Sequence, residues 1–199
     1  IPMDTFGKEN QKVIPLSDVE INKNYALVIT TNSGLWRYLI GDTIRFTSLN
    51  PYRIKVTGRT KHHINVFGEE LMVENTDTAL AKTCKTLHCD IIDYTVAPIF
   101  MKGKEKGGHE WIIEFKKHPV NMANFSELLD KNLQQVNSDY EAKRFNNMTL
   151  NPLVLNVARE HLFYDWLKKK DKLGGQHKVP RLSNSREFME EILAMMASD

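Results

Sequence analysis

The sequence has little cysteine: Cys84 and Cys89 are its 2 thiols in 199 residues, so a disulfide framework does not hold the fold together and a reducing, cytoplasmic setting is expected. It lacks any long apolar run. The uncharged stretch Tyr25 to Thr30 near the amino end is far short of the roughly 20 residues that span a bilayer, so no membrane partner is expected. Charge of one sign is scarce too. With 27 Lys and Arg against 25 Asp and Glu, the formal charge is +2, too small for the cationic footprint that nucleic-acid binding needs. His62, His63, His88 and Cys89 are ligand types, but they do not form the spaced pairs of a structural zinc site, and no metal site is expected. No segment repeats at a fixed period and no low-complexity tract occurs. The chain opens at Ile1-Pro2 without an initiator Met or targeting segment, and it is expected to be a piece of a longer protein.

What is present is an ordinary globular composition, 41% hydrophobic and 26% charged, arranged in two halves. Tyr25 to Thr30 is apolar and β-branched, Asn32-Ser33-Gly34 supplies a turn, and Leu35 to Ile40 resumes as a second strand, which predicts a hairpin. Gly41-Asp42 interrupts that strand before Thr43 to Phe46 extends it, the mark of a bulge or of a ligand's close approach. After the Asn50-Pro51 turn, Tyr52 to Val56 forms a further strand ending at Thr57-Gly58-Arg59.

Beyond this small β unit, strands alternate with amphipathic segments. A strand is predicted from His63 to Phe67, then a helix from Glu74 or Asn75 to His88 with Asn75 as its cap. Ile91 to Met101 and Glu110 to Lys116 form a hairpin whose second strand places Trp111, Ile113 and Phe115 on one side. A single long helix from Asn124 to Arg144, a strand from Leu153 to Val157, a helix from Arg159 to Lys170, a glycine-bearing loop from Leu173 to Asn184, and a final helix from Ser185 to Met196, capped by Ser185, complete the pattern. The predicted class is α+β: a small antiparallel β unit followed by a compact domain whose mostly antiparallel sheet is flanked by helices.

Three stretches stand apart: Trp36 to Asp42, Gly58-Arg59-Thr60-Lys61, and Gly174 to Arg181. A carboxylate such as Asp42, at a strand interruption, suits two neighbouring hydroxyls of a ribose and equally suits an ordinary turn. Arg59 fits the same ribose, a phosphate, or a surface ion pair. Lys178, preceded by glycines and followed by Pro180, is placed to offset charge developing on a phosphate, or to be one more lysine of a solvated loop beside Lys168-Lys169-Lys170.

The order of these stretches resembles the acyl-adenylate-forming superfamily that includes firefly luciferase and acyl-CoA synthetases, and within it the auxin-responsive Gretchen Hagen family. Leu35-Trp36-Arg37-Tyr38 running into Gly41-Asp42 carries the resemblance, together with Gln176 to Arg181, similar to the family's Gln-Tyr-Lys-x-Pro-Arg signature with His177 for the tyrosine. Asn65-Val66-Phe67-Gly68-Glu69-Glu70 and the run from Asn137 to Lys143 extend it over most of the chain.

The resemblance implies an ATP-dependent ligase that activates a carboxylic acid as its adenylate and joins it to an amino acid. Asp42, Arg59 and Tyr38 would bind ATP, Asp42 through the ribose hydroxyls. Lys178 would be the catalytic lysine at the α-phosphate, Lys61 the hinge, and Mg²⁺ would come largely through a missing amino-terminal region. Residues 1–60 would be the end of the large adenylating domain and residues 61–199 the mobile carboxyl-terminal domain. The phosphate loop and acyl pocket would lie elsewhere in the parent chain, so this piece alone is expected to bind ATP weakly and not to turn over. Acyl transfer to coenzyme A and a non-catalytic binding module are the alternatives.

Overall fold

The computed structural model describes residues 1–60, 62–101, 103, 105–147, 149–172 and 178–198. The amino-terminal unit is a three-stranded antiparallel sheet in the order β1 (Asn24–Ile29), β2 (Tyr38–Leu49), β3 (Tyr52–Arg59). The predicted hairpin is present, but β2 starts at Tyr38 rather than Leu35. Arg37 takes a φ of 48° and Trp36 stands 80% exposed, so the chain turns there instead of pairing. Tyr25, Ile44 and Phe46 bury one face of this sheet under Ile14 and Val19.

The strand expected from His63 to Phe67 shrinks to β4 (His63–Ile64), paired with β5 (Leu71–Met72). The Gly68 turn consumes the rest, because Phe67 N–H donates to the Glu69 carboxylate at 2.7 Å and Asn65 accepts from Glu70 N–H. Helix α1 (Val73–Leu87) begins earlier than expected. Asn75 is not its cap but lies inside the first turn, and its side chain accepts from Met72 N–H at 2.9 Å.

The second sheet has the order β6 (Asp90–Ile99), β7 (Gly108–Lys117), β8 (Val154–Ala158). β6 and β7 form the expected antiparallel hairpin, while β8 joins β7 in parallel. β7 is the central strand and is covered on both faces. Trp111, Ile113 and Phe115 pack with residues of α1 and of α2 (Met122–Val136) in the larger core. Ile112, from the opposite face, packs in a second core with α4 (Leu162–Lys169) and α5 (Glu187–Met196).

The single helix predicted over 124–144 is two: α2, and α3 (Ser138–Arg144). Asn137 breaks it. Its Oδ1 caps α3 by accepting from Tyr140 N–H at 2.7 Å, and its Nδ2 donates to the carbonyls of Glu69 and Glu70 at 3.0 and 3.2 Å. An asparagine that satisfies backbone groups this way competes with a continuing helix. α4 starts later than predicted because its amino end is capped from outside. The buried Glu114 carboxylate of β7 accepts from His161 N–H at 2.7 Å, where the helix dipole favours an anion. α5 begins at Glu187 rather than Ser185, which caps nothing and instead donates its own N–H to Ser183 Oγ.

Glu74, in the first turn of α1, joins the two units. It takes ion pairs from Arg45 of β2 and Lys55 of β3, which are cross-strand partners.

Candidate functional site

Asp42 sits where β2 departs from its ladder with β1. Between the pairs Ala26↔Thr43 and Val28↔Leu39, Ile40, Gly41 and Asp42 oppose only Leu27, a bulge, and Gly41 takes a φ of 91° that favours glycine. The glycine interruption noted in the sequence is thus a bulge. Thr60 closes it from β3's end, donating its N–H at 2.8 Å and its hydroxyl at 3.3 Å to the Gly41 carbonyl. On the other side Asp42 pairs with Arg59 across the β2–β3 ladder, with Arg59 Nε 3.4 Å from Asp42 Oδ1. The Arg59 side chain is 71% exposed and that of Asp42 33% exposed. A carboxylate and a guanidinium therefore stand side by side at the surface, an arrangement that can accept from hydroxyls and donate to an anion. Tyr38, half-exposed at the start of the same strand, pairs with Ile29.

Lys178 belongs to the other unit. Residues 173–177, and with them Gln176 and His177 of the signature, lie outside the described residues, as does Lys61, the expected hinge. From Lys178 onward the chain runs as a strap along the free edge of β6. Thr95 Oγ1 donates to the Pro180 carbonyl at 2.6 Å, Val96 N–H to the Arg181 carbonyl at 2.9 Å, and Ser183 N–H to the Val96 carbonyl at 3.2 Å. Val179 and Leu182 are buried while Lys178 is exposed. At its end, Asn184 accepts from Asn65 N–H at 2.9 Å and donates to the His63 carbonyl at 3.0 Å.

Arg181 anchors the middle of the strap. Its Nη1 lies 2.6 Å from Asp77 Oδ1, its Nε 3.8 Å from Asp93, and its guanidinium 5.1 Å from the centre of the Tyr94 ring. Burial pushes the Asp93 carboxyl up, and Arg181 and Lys178 pull it part of the way back. Burial, followed by the charge of Asp77, raises the Tyr94 phenol.

Asp42 and Arg59 are thus brought together, whereas Lys178 lies on the second unit, within electrostatic reach of Asp93. No hydrogen bond or ion pair joins Lys178 to Asp42, Arg59 or Tyr38 among the described residues. Sequence reasoning missed Asp77, Asp93 and Tyr94, and the buried pair of Glu69 Oε1 and His109 Nε2 at 2.9 Å. The phrases Asn65 to Glu70 and Asn137 to Lys143 were the available signal for the region around Glu69, and Asn137 joins them.

Comparison with known proteins decides the family. Residues 1–59 match the GH3 family central domain, and residues 74–187 match the GH3 family C-terminal domain. The chain belongs to the GH3 family. It is 24% identical over 203 residues to the indole-3-acetic acid-amido synthetase GH3.3 of Arabidopsis thaliana, covering 96% of this chain and 34% of the relative. It is 26% identical to GH3.4 of the same plant, covering 92% and 33%. Among solved structures, the GH3.15 acyl acid amido synthetase has a similar fold, with a TM-score of 0.67, 22% identity, and coverage of 91% of this chain and 34% of that one. The GH3 chain described here spans about a third of the length of the curated relatives it matches. The resemblance read from the Gly41-Asp42 and Lys178 stretches therefore leads to the right family.

Proposed function

We propose that this GH3 chain is part of an ATP-dependent amido synthetase, one that activates a small carboxylic acid as its acyl-adenylate and conjugates it to an amino acid. The reading rests chiefly on one observation: a family member presents the Asp42–Arg59 pair on a bulge and an exposed lysine on an anchored strap. In this account residues 1–60 close the large adenylating domain and residues 61–199 form a mobile domain, with Lys61 at the hinge. Asp42 accepts from the ribose hydroxyls of ATP, and Tyr38 and Arg59 flank the nucleotide. Lys178 approaches the α-phosphate and offsets the charge that builds there as the carboxylate oxygen attacks phosphorus and pyrophosphate leaves. Such stabilisation requires the second unit, with the strap fixed on it, to swing toward the first, the kind of domain closure that often sets turnover.

Mg²⁺ supplies charge neutralisation at the phosphates in such reactions. In this reading its protein ligands come largely from the rest of the parent chain. The proposed setting is the cytoplasm, where thiols such as those of Cys84 and Cys89 stay reduced. Alone, this chain binds ATP weakly and does not turn over. The test is ATP–pyrophosphate exchange by the whole protein. Exchange that depends on an added carboxylic acid, followed by product formation with amino acids and not with coenzyme A, supports the reading. Exchange indifferent to every carboxylic acid tried contradicts it.

A further inference from the structure

We propose that Arg181 is a positioning residue for Lys178: clamped between the Tyr94 ring and the Asp77 carboxylate, it fixes the strap on the edge of β6 and so fixes where the lysine can reach. This inference rests on the reading of Lys178 as the catalytic lysine.

The clamp is built from three elements. Thr76 and Asp77 come from α1, Tyr94 and Asp93 from β6, and Arg181 from the strap. The Tyr94 and Thr76 hydroxyls lie 2.6 Å apart, and Tyr94 donates to Asp77 Oδ1 at 2.7 Å. The Thr76 hydroxyl donates to the Val73 carbonyl at 2.9 Å, which ties this cluster to the first turn of α1. Asp77 Oδ1 receives both the phenol and, at 2.6 Å, Arg181 Nη1. The guanidinium is held by a charge-assisted bond on one side and by a cation–π contact on the other, 5.1 Å from the ring centre. Tyr94 cannot shift to release it, because its ring is 1% exposed and stacks on Trp111 at 5.6 Å.

Arg181 carries a charged side-chain contact from the strap back to α1. The neighbouring bonds are made by the backbone at Pro180, Arg181 and Ser183, and by the Asn184 amide to residues 63–65. Backbone bonds set the register of the strap on β6. The guanidinium adds a charged side-chain tie to α1 that resists sliding or lifting as a charged phosphate pulls on Lys178. Asp93, 3.8 Å from Arg181 Nε and within the electrostatic reach of Lys178, gives the ammonium a local counter-charge on the same edge. Fixing the backbone from Pro180 onward removes part of the freedom that a lysine beside it would otherwise lose on meeting its target, and orientation of this kind lowers a barrier.

The experiment uses the whole protein and measures ATP–pyrophosphate exchange in Arg181→Gln, Arg181→Lys, Lys178→Ala and the double variant Arg181→Gln/Lys178→Ala. The expected result is a kcat about 30- to 100-fold lower in Arg181→Gln, with the KM for ATP within about threefold, as misplacement of a catalytic group predicts. Arg181→Lys, which keeps the ion pair to Asp77, recovers part of the loss. In the Lys178→Ala background, Arg181→Gln lowers the residual rate no further. If Arg181→Gln does not fold, Asp77→Asn carries the same test.

Three results overturn the proposal. One is an unchanged kcat in Arg181→Gln while Lys178→Ala abolishes exchange, which leaves the reading of Lys178 standing. Another is an equal fractional loss with and without Lys178, which makes Arg181 independent of it. The third is an unchanged rate in Lys178→Ala, which removes the proposal together with the reading it rests on.

Discussion

Asp42 and Arg59 face each other across the β2–β3 ladder, with Arg59 Nε 3.4 Å from Asp42 Oδ1. So exposed a pair contributes less than about 1 kcal/mol to stability. Asp42→Asn should therefore leave the denaturant midpoint nearly unchanged. In the whole protein it should raise the KM for ATP by about tenfold or more, since a bond to a charged acceptor is worth roughly 1.5–3 kcal/mol. Chemical denaturation and initial-rate kinetics on one preparation check both halves. A large loss of stability without a change in KM would make Asp42 a structural residue.

The buried cluster around Asp130 has the opposite character. Arg144 Nη2 lies 2.7 Å from Asp130 Oδ2, and Tyr140 donates to Oδ1 at 2.6 Å, with Asp130 and Arg144 both below a tenth exposed. Asp130→Ala leaves a guanidinium uncompensated in the core and should cost about 3–5 kcal/mol. Urea denaturation of this chain measures it.

Asn137 ends one helix, starts the next and holds the Gly68 turn through its amide. Asn137→Ala should cost about 1 kcal/mol for the lost cap, plus about 1–3 kcal/mol for the carbonyls it leaves without a donor. If Asn137→Ala is as stable as the parent sequence, the two-helix reading of residues 122–144 loses its physical cause.

Two tyrosines make stability depend on alkaline pH. Burial raises both the Tyr94 and Tyr140 phenols, and the carboxylates beside them, Asp77 and Asp130, add to the rise. In the unfolded chain each ionises near pH 10. Above that pH the unfolded state loses protons that the folded state keeps, so stability is full below about pH 10 and declines as pH rises further. Tyr94→Phe should flatten that decline in a series of urea midpoints taken from pH 8 upward.

The Cys84 thiol is pushed up to about 12, first by burial and then by the neighbouring Cys89. Only the thiolate is a nucleophile, so Cys84 should react with iodoacetamide at pH 8 at least about 100-fold more slowly than an unperturbed thiol. Mass spectrometry of the labelled protein over time tests this.

Much of the fold is legible because its signals are local. Alternation in Trp111, Ile113 and Phe115 marks β7, and Gly41 marks the bulge that presents Asp42. The errors share a different cause. The apolar period runs on from Leu133 and Val136 to Tyr140, so nothing local shows that Asn137 would rather bond to Glu69 than continue a helix. α4 is capped by Glu114, a residue 47 positions away from His161. The proposed site divides in the same way. Asp42, Arg59 and Lys178 are marked by their neighbours in sequence, while the partner that clamps Arg181, Asp77, is 104 residues distant and carries no local mark.

Lys178 is proposed to act at the α-phosphate of ATP. The most direct measurement is carboxylate-dependent ATP–pyrophosphate exchange by the whole protein, with and without Lys178→Ala, at matched folded fractions. Removing a preorganised charge from the reacting phosphate should lower the exchange rate about 10²- to 10³-fold with folding intact. A folded Lys178→Ala protein that exchanges pyrophosphate at the unmodified rate would contradict the account.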